Sequence, residues 1–231
     1  MLTDKDQLAI SFLLSYLKQY HVLPEQLIAE YRQNCKVVVV NKNKYILSPV
    51  DNNRFLYFIV RGTARGFIRD QGKDITTWFA FENEIMAAAR HPEADILYAE
   101  EYVQALEDCL LVCIPYSLMD KMSEQFAEAN RINRKLLALQ NFNATQRSIL
   151  ARIPRASDRY RRMLVDKRIL MSRIPLRHLA SYLSIRLETL SRIRKKEVDE
   201  SLNLEGMLAE ISGVGIYQYA NLDHLNKVGT C

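Results

Sequence analysis

Glu188, Thr189, Arg192 and Lys195 lie within one short stretch, RLETLSRIRKK, and together they carry the chemistry needed to read a nucleic-acid groove. An arginine can hold guanine O6 and N7 with two hydrogen bonds, a glutamate can accept from cytosine N4, and threonine, lysine and a further arginine such as Arg186 can bind phosphate. At helical spacing these side chains share one face, while Leu187, Leu190 and Ile193 form an inner stripe. The same pattern also fits a solvated basic face on an ordinary helical hairpin.

The segment just before positions this face. Pro175 suits the first position of a helix, and Leu176, Leu179, Ala180 and Leu183 recur at helical spacing after it. Ser184 and Ile185 then form a turn, so Arg173 to Lys196 is expected to be a helix-turn-helix, with the second helix from about Arg186 to Lys196.

Charge favours a polyanion. Between Arg147 and Lys196 there are 15 Lys and Arg against three acids, a net of +12, so the remainder carries −7 within a chain total of +5. Neutralising phosphates releases counterions and supplies affinity that does not depend on sequence. A membrane surface would attract the same charge, but the Trp/Phe-rich face of an interfacial helix is missing.

The chain of 231 residues, 48% hydrophobic and 9% aromatic with 7 Gly and 6 Pro, is expected to be globular. It has no apolar run of about 18 residues and no signal-peptide pattern near MLTDKDQ, which places it in the cytoplasm with no membrane partner. Cys35, Cys109, Cys113 and Cys231 lack metal-ligand spacing and are expected as reduced core thiols; neither a metal nor a cofactor is expected. Paired carboxylates, nucleophile–base arrangements and phosphate-binding glycine loops do not stand out, so an enzyme is not expected.

Thr3 should cap a helix running to about Tyr20, and Pro24 should open a second helix. From Cys35 to Pro115 short β-rich runs alternate with turn signals, which predicts an antiparallel sandwich or roll in which Gly62 allows a close turn. Helical periodicity from Pro115 to about Arg152 predicts one long helix. Its seam of Leu118, Met122, Ala129, Ile132, Leu136, Leu139, Leu150 and Ile153, with Gln125, Asn143 and Gln146 interspersed, suits a homodimer in which Asn143 fixes register. Packing along the chain's own roll would explain the N-terminal half of that stripe as well. Beyond Lys196, LAEIS and IYQY joined through Gly213-Val214-Gly215 are expected as a hairpin, a wing that touches a phosphate or covers a small core. The fold class is α+β, divided as 1–115, 116–154 and 155–231.

In order and content these parts resemble the CRP/FNR superfamily of bacterial transcription regulators. The resemblance is carried by LYFIVRGTARG, YVQALEDCLL, ASDRYRRML, RIPLRHLASYLSIRLETLSRIRKK and MLAEISGVGIYQYANLDHL. It implies a β-roll effector domain, a long dimerisation helix and a winged helix-turn-helix that binds a two-fold operator in double-stranded DNA and influences RNA polymerase. By the same resemblance Glu188 and Arg192 contact bases, and Arg173, Arg186, Thr189 and Lys195 contact phosphate or groove. Leu187 replaces a second base-reading arginine found in many members, which weakens preference there or shifts it toward a thymine methyl.

The effector region departs from the cyclic-AMP pattern. Ala99-Glu100-Glu101 stands where Arg-Ser-Ala would hold the cyclic phosphate, and two carboxylates repel it, unless Arg90 reaches in. The effector remains unassigned, with Asn83, Glu84, Gln104 and Thr145 as candidate pocket residues. Cys35 alone cannot hold an iron–sulfur cluster, and haem sensing has only His21 and His91 in its favour. The competing reading is a small-molecule-binding module whose basic end serves a protein or RNA partner.

Overall fold

The computed structural model describes residues 3–51, 53–87 and 100–197, with backbone alone for 166–170. The expected wing, Arg90, His91, Ala99 and Cys231 lie outside the described residues. The chain divides into two compact units, Met1–Ile185 and Arg186–Cys231. This division falls beyond the 154/155 boundary drawn from sequence, because the helices after residue 155 are tied into the first unit.

Helix α1 (Asp4–Lys18) starts where Thr3 closes a capping box with Asp6, whose carboxyl those hydrogen bonds hold below its usual range. Helix α2 (Glu25–Asn34) begins after Pro24. Among the described residues two four-stranded antiparallel sheets follow, formed by β1 (Lys36–Val40), β2 (Tyr45–Leu47), β3 (Phe55–Arg61), β4 (Ala64–Asp70), β5 (Lys73–Ala80), β6 (Ile85–Met86), β7 (Tyr102–Ala105) and β8 (Cys109–Pro115). Their orders are β1-β8-β3-β6 and β2-β7-β4-β5. Ile59, Ala64, Ala105 and Leu111 fill the space between the sheets.

Gly62 stands at φ +104 between β3 and β4, and a Cβ there would meet the Asp108 carbonyl and Cys109 Sγ at 2.8 Å, so the expected close approach is real. Cys35, Cys109 and Cys113 are buried free thiols, and burial pushes all three upward, to about 12, 11 and 11.

The predicted single long helix is two: α3 (Tyr116–Gln125) and α4 (Ala127–Arg152), separated by Phe126 in an extended conformation. The break lets both helices present apolar residues to one core. Leu118 and Met122 pack there with Ala129 and Ile132, and Phe126 joins them. Asn130 bridges the break by donating to the Ser123 carbonyl, and Asn133 donates to Ser123 Oγ. Half of the expected dimer seam is therefore spent inside the chain, in a core shared with α1, α2 and β3. Leu150 is buried too, and Asn143 and Gln146 are half-buried on the side of α4 that faces the roll. The exposed stripe lies to one side of that seam, at Ala138, Phe142, Thr145 and Ile149.

Helices α5 (Ala156–Ser172) and α6 (Leu176–Tyr182) complete the first unit. Arg159 joins α4, α5 and the end of α6 by donating to the carbonyls of Ile153 and Leu183. Among the described residues no helix is long and apolar enough to cross a membrane.

Candidate nucleic-acid interface and effector cleft

α6 opens after Pro175, whose φ of −56° and ψ of 133° make it the residue before the helix rather than its first helical position. Its carbonyl accepts from the amides of His178 and Leu179. Leu179, Ala180 and Leu183 are buried as expected, and Leu176 is half-buried. The helix stops in a Schellman motif: Ile185 N–H donates to the Ala180 carbonyl, Ser184 N–H donates to the Ser181 carbonyl, and Ser184 sits at φ +53.

The next helix covers residues 187–197. Leu190 is fully buried, Thr189 and Ile193 are half-buried, and Arg186, Glu188, Arg192 and Lys195 are exposed. Glu188, Arg192 and Lys195 fall on one outward face, as their spacing demands. Leu187 departs from the expected inner stripe: at 43% exposure it lies at the rim, about 60° around the helix from the buried Leu190 and in the first turn.

Arg173 stands apart from this face. Its Nη1 and Nη2 donate to the two carboxylate oxygens of Glu82, each at 2.8 Å, its Nε donates to Glu107 Oε1 at 2.9 Å, and Nη2 also reaches Glu107 Oε2. Four of the five guanidinium N–H donors are engaged, so in this arrangement Arg173 is spent chiefly on carboxylates rather than a phosphate. Glu82 Oε1 also accepts from Gly62 N–H at 2.8 Å, and Glu107 Oε2 accepts from Thr63 Oγ1. The Arg173 hydrogen bonds hold Glu82 down at about 2 and Glu107 below its usual range, while the carboxylates raise Arg173.

The same helix rests on β5. Ser181 Oγ accepts from Thr76 N–H at 2.9 Å and donates to the Asp74 carbonyl at 3.1 Å, and the Tyr182 ring meets Phe79 edge-on at 5.2 Å. His178 is buried and accepts at Nε2 from Arg177 Nε. Burial, together with Arg65 and Arg177, pushes His178 down to about 4. Arg65 is itself buried: it donates to Asp74, Gln104 and Thr76 and lies 4.1 Å from the centre of the Phe67 ring. The Glu82–Arg173–Glu107 set carried no signal in the sequence, because its members lie 66 and 91 positions from Arg173, whereas Arg65 meets Asp74 and Thr76 across the β4–β5 hairpin and Gln104 39 positions away.

Between the roll, α1 and α4 runs a cleft of about 1190 Å³ walled by Tyr16, Tyr20, Trp78 and Phe142. Of the four expected pocket residues, Asn83 and Glu84 line it, whereas Gln104 and Thr145 do not. Gln104 is bound to Arg65 and to the Asn43 carbonyl, and Thr145 lies on the exposed stripe of α4. Glu101 lines the cleft and accepts from Thr77 Oγ1 and Trp78 Nε1, so a satisfied carboxylate occupies this wall. Gln140 spans the cleft from α4 to the Ile85 carbonyl. Among the described residues no group of His, Cys, Asp and Glu is placed to hold a metal.

No protein-family model matches the chain, and no curated protein matches it. Solved structures do. FixK2 from Bradyrhizobium japonicum superposes with a TM-score of 0.64 at 16% identity, covering 72% of this chain and 86% of that one. A regulator from Eubacterium rectale assigned to the CRP/FNR family gives 0.60 at 17% identity, covering 77% and 85%. The c-di-GMP-responsive global regulator CLP of Xanthomonas campestris gives 0.59 at 15%, covering 78% and 94%. At these identities the likeness concerns the fold, which is that of the CRP/FNR regulators.

Proposed function

We propose that the chain is a non-enzymatic, homodimeric transcription regulator that reads double-stranded DNA by sequence. The observation that carries this reading is the helix-turn-helix itself: a Schellman turn after α6 leads into a helix whose outward face holds Glu188, Arg192 and Lys195, within a segment of net charge +12. In this reading Glu188 and Arg192 contact bases, and Arg186, Thr189 and Lys195 contact backbone or groove.

The exposed stripe of α4 supports pairing with a second copy, since two reading helices must stand about 34 Å apart to enter successive major grooves on one face of a duplex. An effector of the cleft acts by differing in affinity for two arrangements of the protein. Glu101 disfavours a cyclic phosphate against its wall, which speaks for an effector other than cyclic AMP. Bound at its operator, the dimer acts on RNA polymerase, the partner that the resemblance implies. The test is selection of bound duplexes from a random pool, with and without cell-extract metabolites. Enrichment of two related half-sites one helical turn apart is expected, and recovery of unrelated sequences would overturn the reading.

A further inference from the structure

A helix-turn-helix places its second helix in the major groove and lays its first across the sugar–phosphate backbone. The first helix here, α6, is otherwise engaged. One side, through Leu179, Ala180 and Leu183, is buried, and the opposite side, through Ser181 and Tyr182, rests on β5. Arg173, just ahead of α6, is gripped by two carboxylates from separate turns of the roll, with Glu82 following β5 and Glu107 following β7.

The geometry of that grip is that of an arginine on a phosphate. A guanidinium presents a planar fork of donors that fits a carboxylate and a phosphate alike, two parallel bonds at a time. Glu82 and Glu107 would repel each other across this space without the cation between them, so the cradle is built for a positive charge. The three side chains are 28–32% exposed, which leaves the contact open to competing ions. Among the described residues, α6 meets β5 through the Ser181 hydroxyl and the Tyr182–Phe79 pair, with the buried, uncharged His178 beside Asp74. That is a polar, modest contact of the kind that domains make and break.

We infer that Glu82 and Glu107 form a clamp that holds Arg173, and through it α6, on the roll in competition with the phosphates of DNA, so that opening the clamp raises DNA affinity. This rests on the DNA-binding reading above and adds its regulation. The unclamped state frees the α6 face for the backbone and returns Arg173 as a phosphate contact.

The test uses the full chain, with hydrogen exchange of the amides from 173 to 185 and fluorescence anisotropy on a duplex recovered by the selection. In E82Q/E107Q the exchange is expected to speed up and the Kd to fall on the order of tenfold, a usual size for coupling between sites. In an R173A background the same two changes are expected to move Kd by less than about twofold, since the clamp has already lost its cation. Ser181→Ala, which removes the hydroxyl bridge to β5, is expected to act in the same direction and serves if the double variant does not fold. Unchanged exchange, or faster exchange with an unchanged Kd where the wild type binds selectively, would overturn the clamp and leave the DNA-binding reading standing. Absence of selective binding in the wild type and in every variant would overturn both.

Discussion

Ile185 donates its amide to the carbonyl of Ala180 at 3.0 Å, across a turn in which Ser184 holds φ at +53. That bond closes α6, and it requires a left-handed backbone at a residue that carries a Cβ. Glycine adopts this region without the steric cost that serine bears. Ser184→Gly is therefore expected to stabilise the fold by about 0.5–1 kcal/mol, read as an upward shift in the urea midpoint at unchanged slope. A lower midpoint would mean that the serine hydroxyl contributes more than the backbone strain costs.

Arg192 is exposed on the outward face of the helix of residues 187–197. Arg192→Ala is expected to cost about 1–3 kcal/mol of DNA affinity and to relax preference at one base pair in each half-site. A competition panel of singly substituted operators distinguishes this from loss of a phosphate contact, which weakens all sequences alike and lowers the salt slope by about one.

Ile149 is 45% exposed on α4, and Ala138, Phe142 and Thr145 extend its stripe. A charge placed there meets water in a single chain and an apolar surface in a pair of chains. Ile149→Glu is expected to weaken dimerisation by about 2 kcal/mol or more, while the unfolding midpoint of the monomer stays within about 0.5 kcal/mol of the parent. Sedimentation equilibrium measures the first quantity and denaturation at low protein concentration the second.

Acid should destabilise the protein in two separate steps. His178 has its folded value pushed from 6.5 down to about 4, chiefly by burial, so the unfolded chain takes up a proton before the folded one does. Its contribution is complete above about pH 6.5 and is lost as pH falls toward 4, on the order of 2–3 kcal/mol in all. Glu82 has its folded value lowered from 4.5 to about 2, chiefly by the Arg173 hydrogen bonds, so its contribution is present above about pH 4.5 and is lost as pH falls through 2. Urea midpoints measured from pH 7.5 to pH 2 should show both steps. Arg173→Ala should shrink the lower one, leaving the share of Asp6 and Asp74, whose partners are Thr3 and the pair Arg65 and Arg69, and His178→Asn should remove the upper.

Much of the architecture was legible because its signals are local. The Thr3 capping box, the alternating apolar runs of the roll, Gly62 at its tight turn, and the stripe of Leu179, Ala180 and Leu183 each express a rule that acts over a few residues. The outward placement of Glu188, Arg192 and Lys195 follows from helical spacing for the same reason. The break at Phe126 was not legible: helical periodicity ran through it, and the extended backbone there is set by the core that α3 and α4 share. The N-terminal half of the seam was ambiguous in the same way, since Leu118, Met122, Ala129 and Ile132 carry a period that fits a partner helix and the chain's own roll equally well.

The sequence alone determined which residue types were available and which face of each element they occupy, because helical and strand periods fix the direction of a side chain from its position. It thereby set the α+β class, the concentration of base near the C-terminus, and the outward Glu188 and Arg192. Tertiary structure decided what those side chains meet. Gln104 went to Arg65 rather than to the cleft, and Arg173 went to Glu82 and Glu107 rather than to an open groove. These pairings join residues 39 to 91 positions apart, and no local preference selects among distant partners of suitable charge until packing has brought one of them within reach.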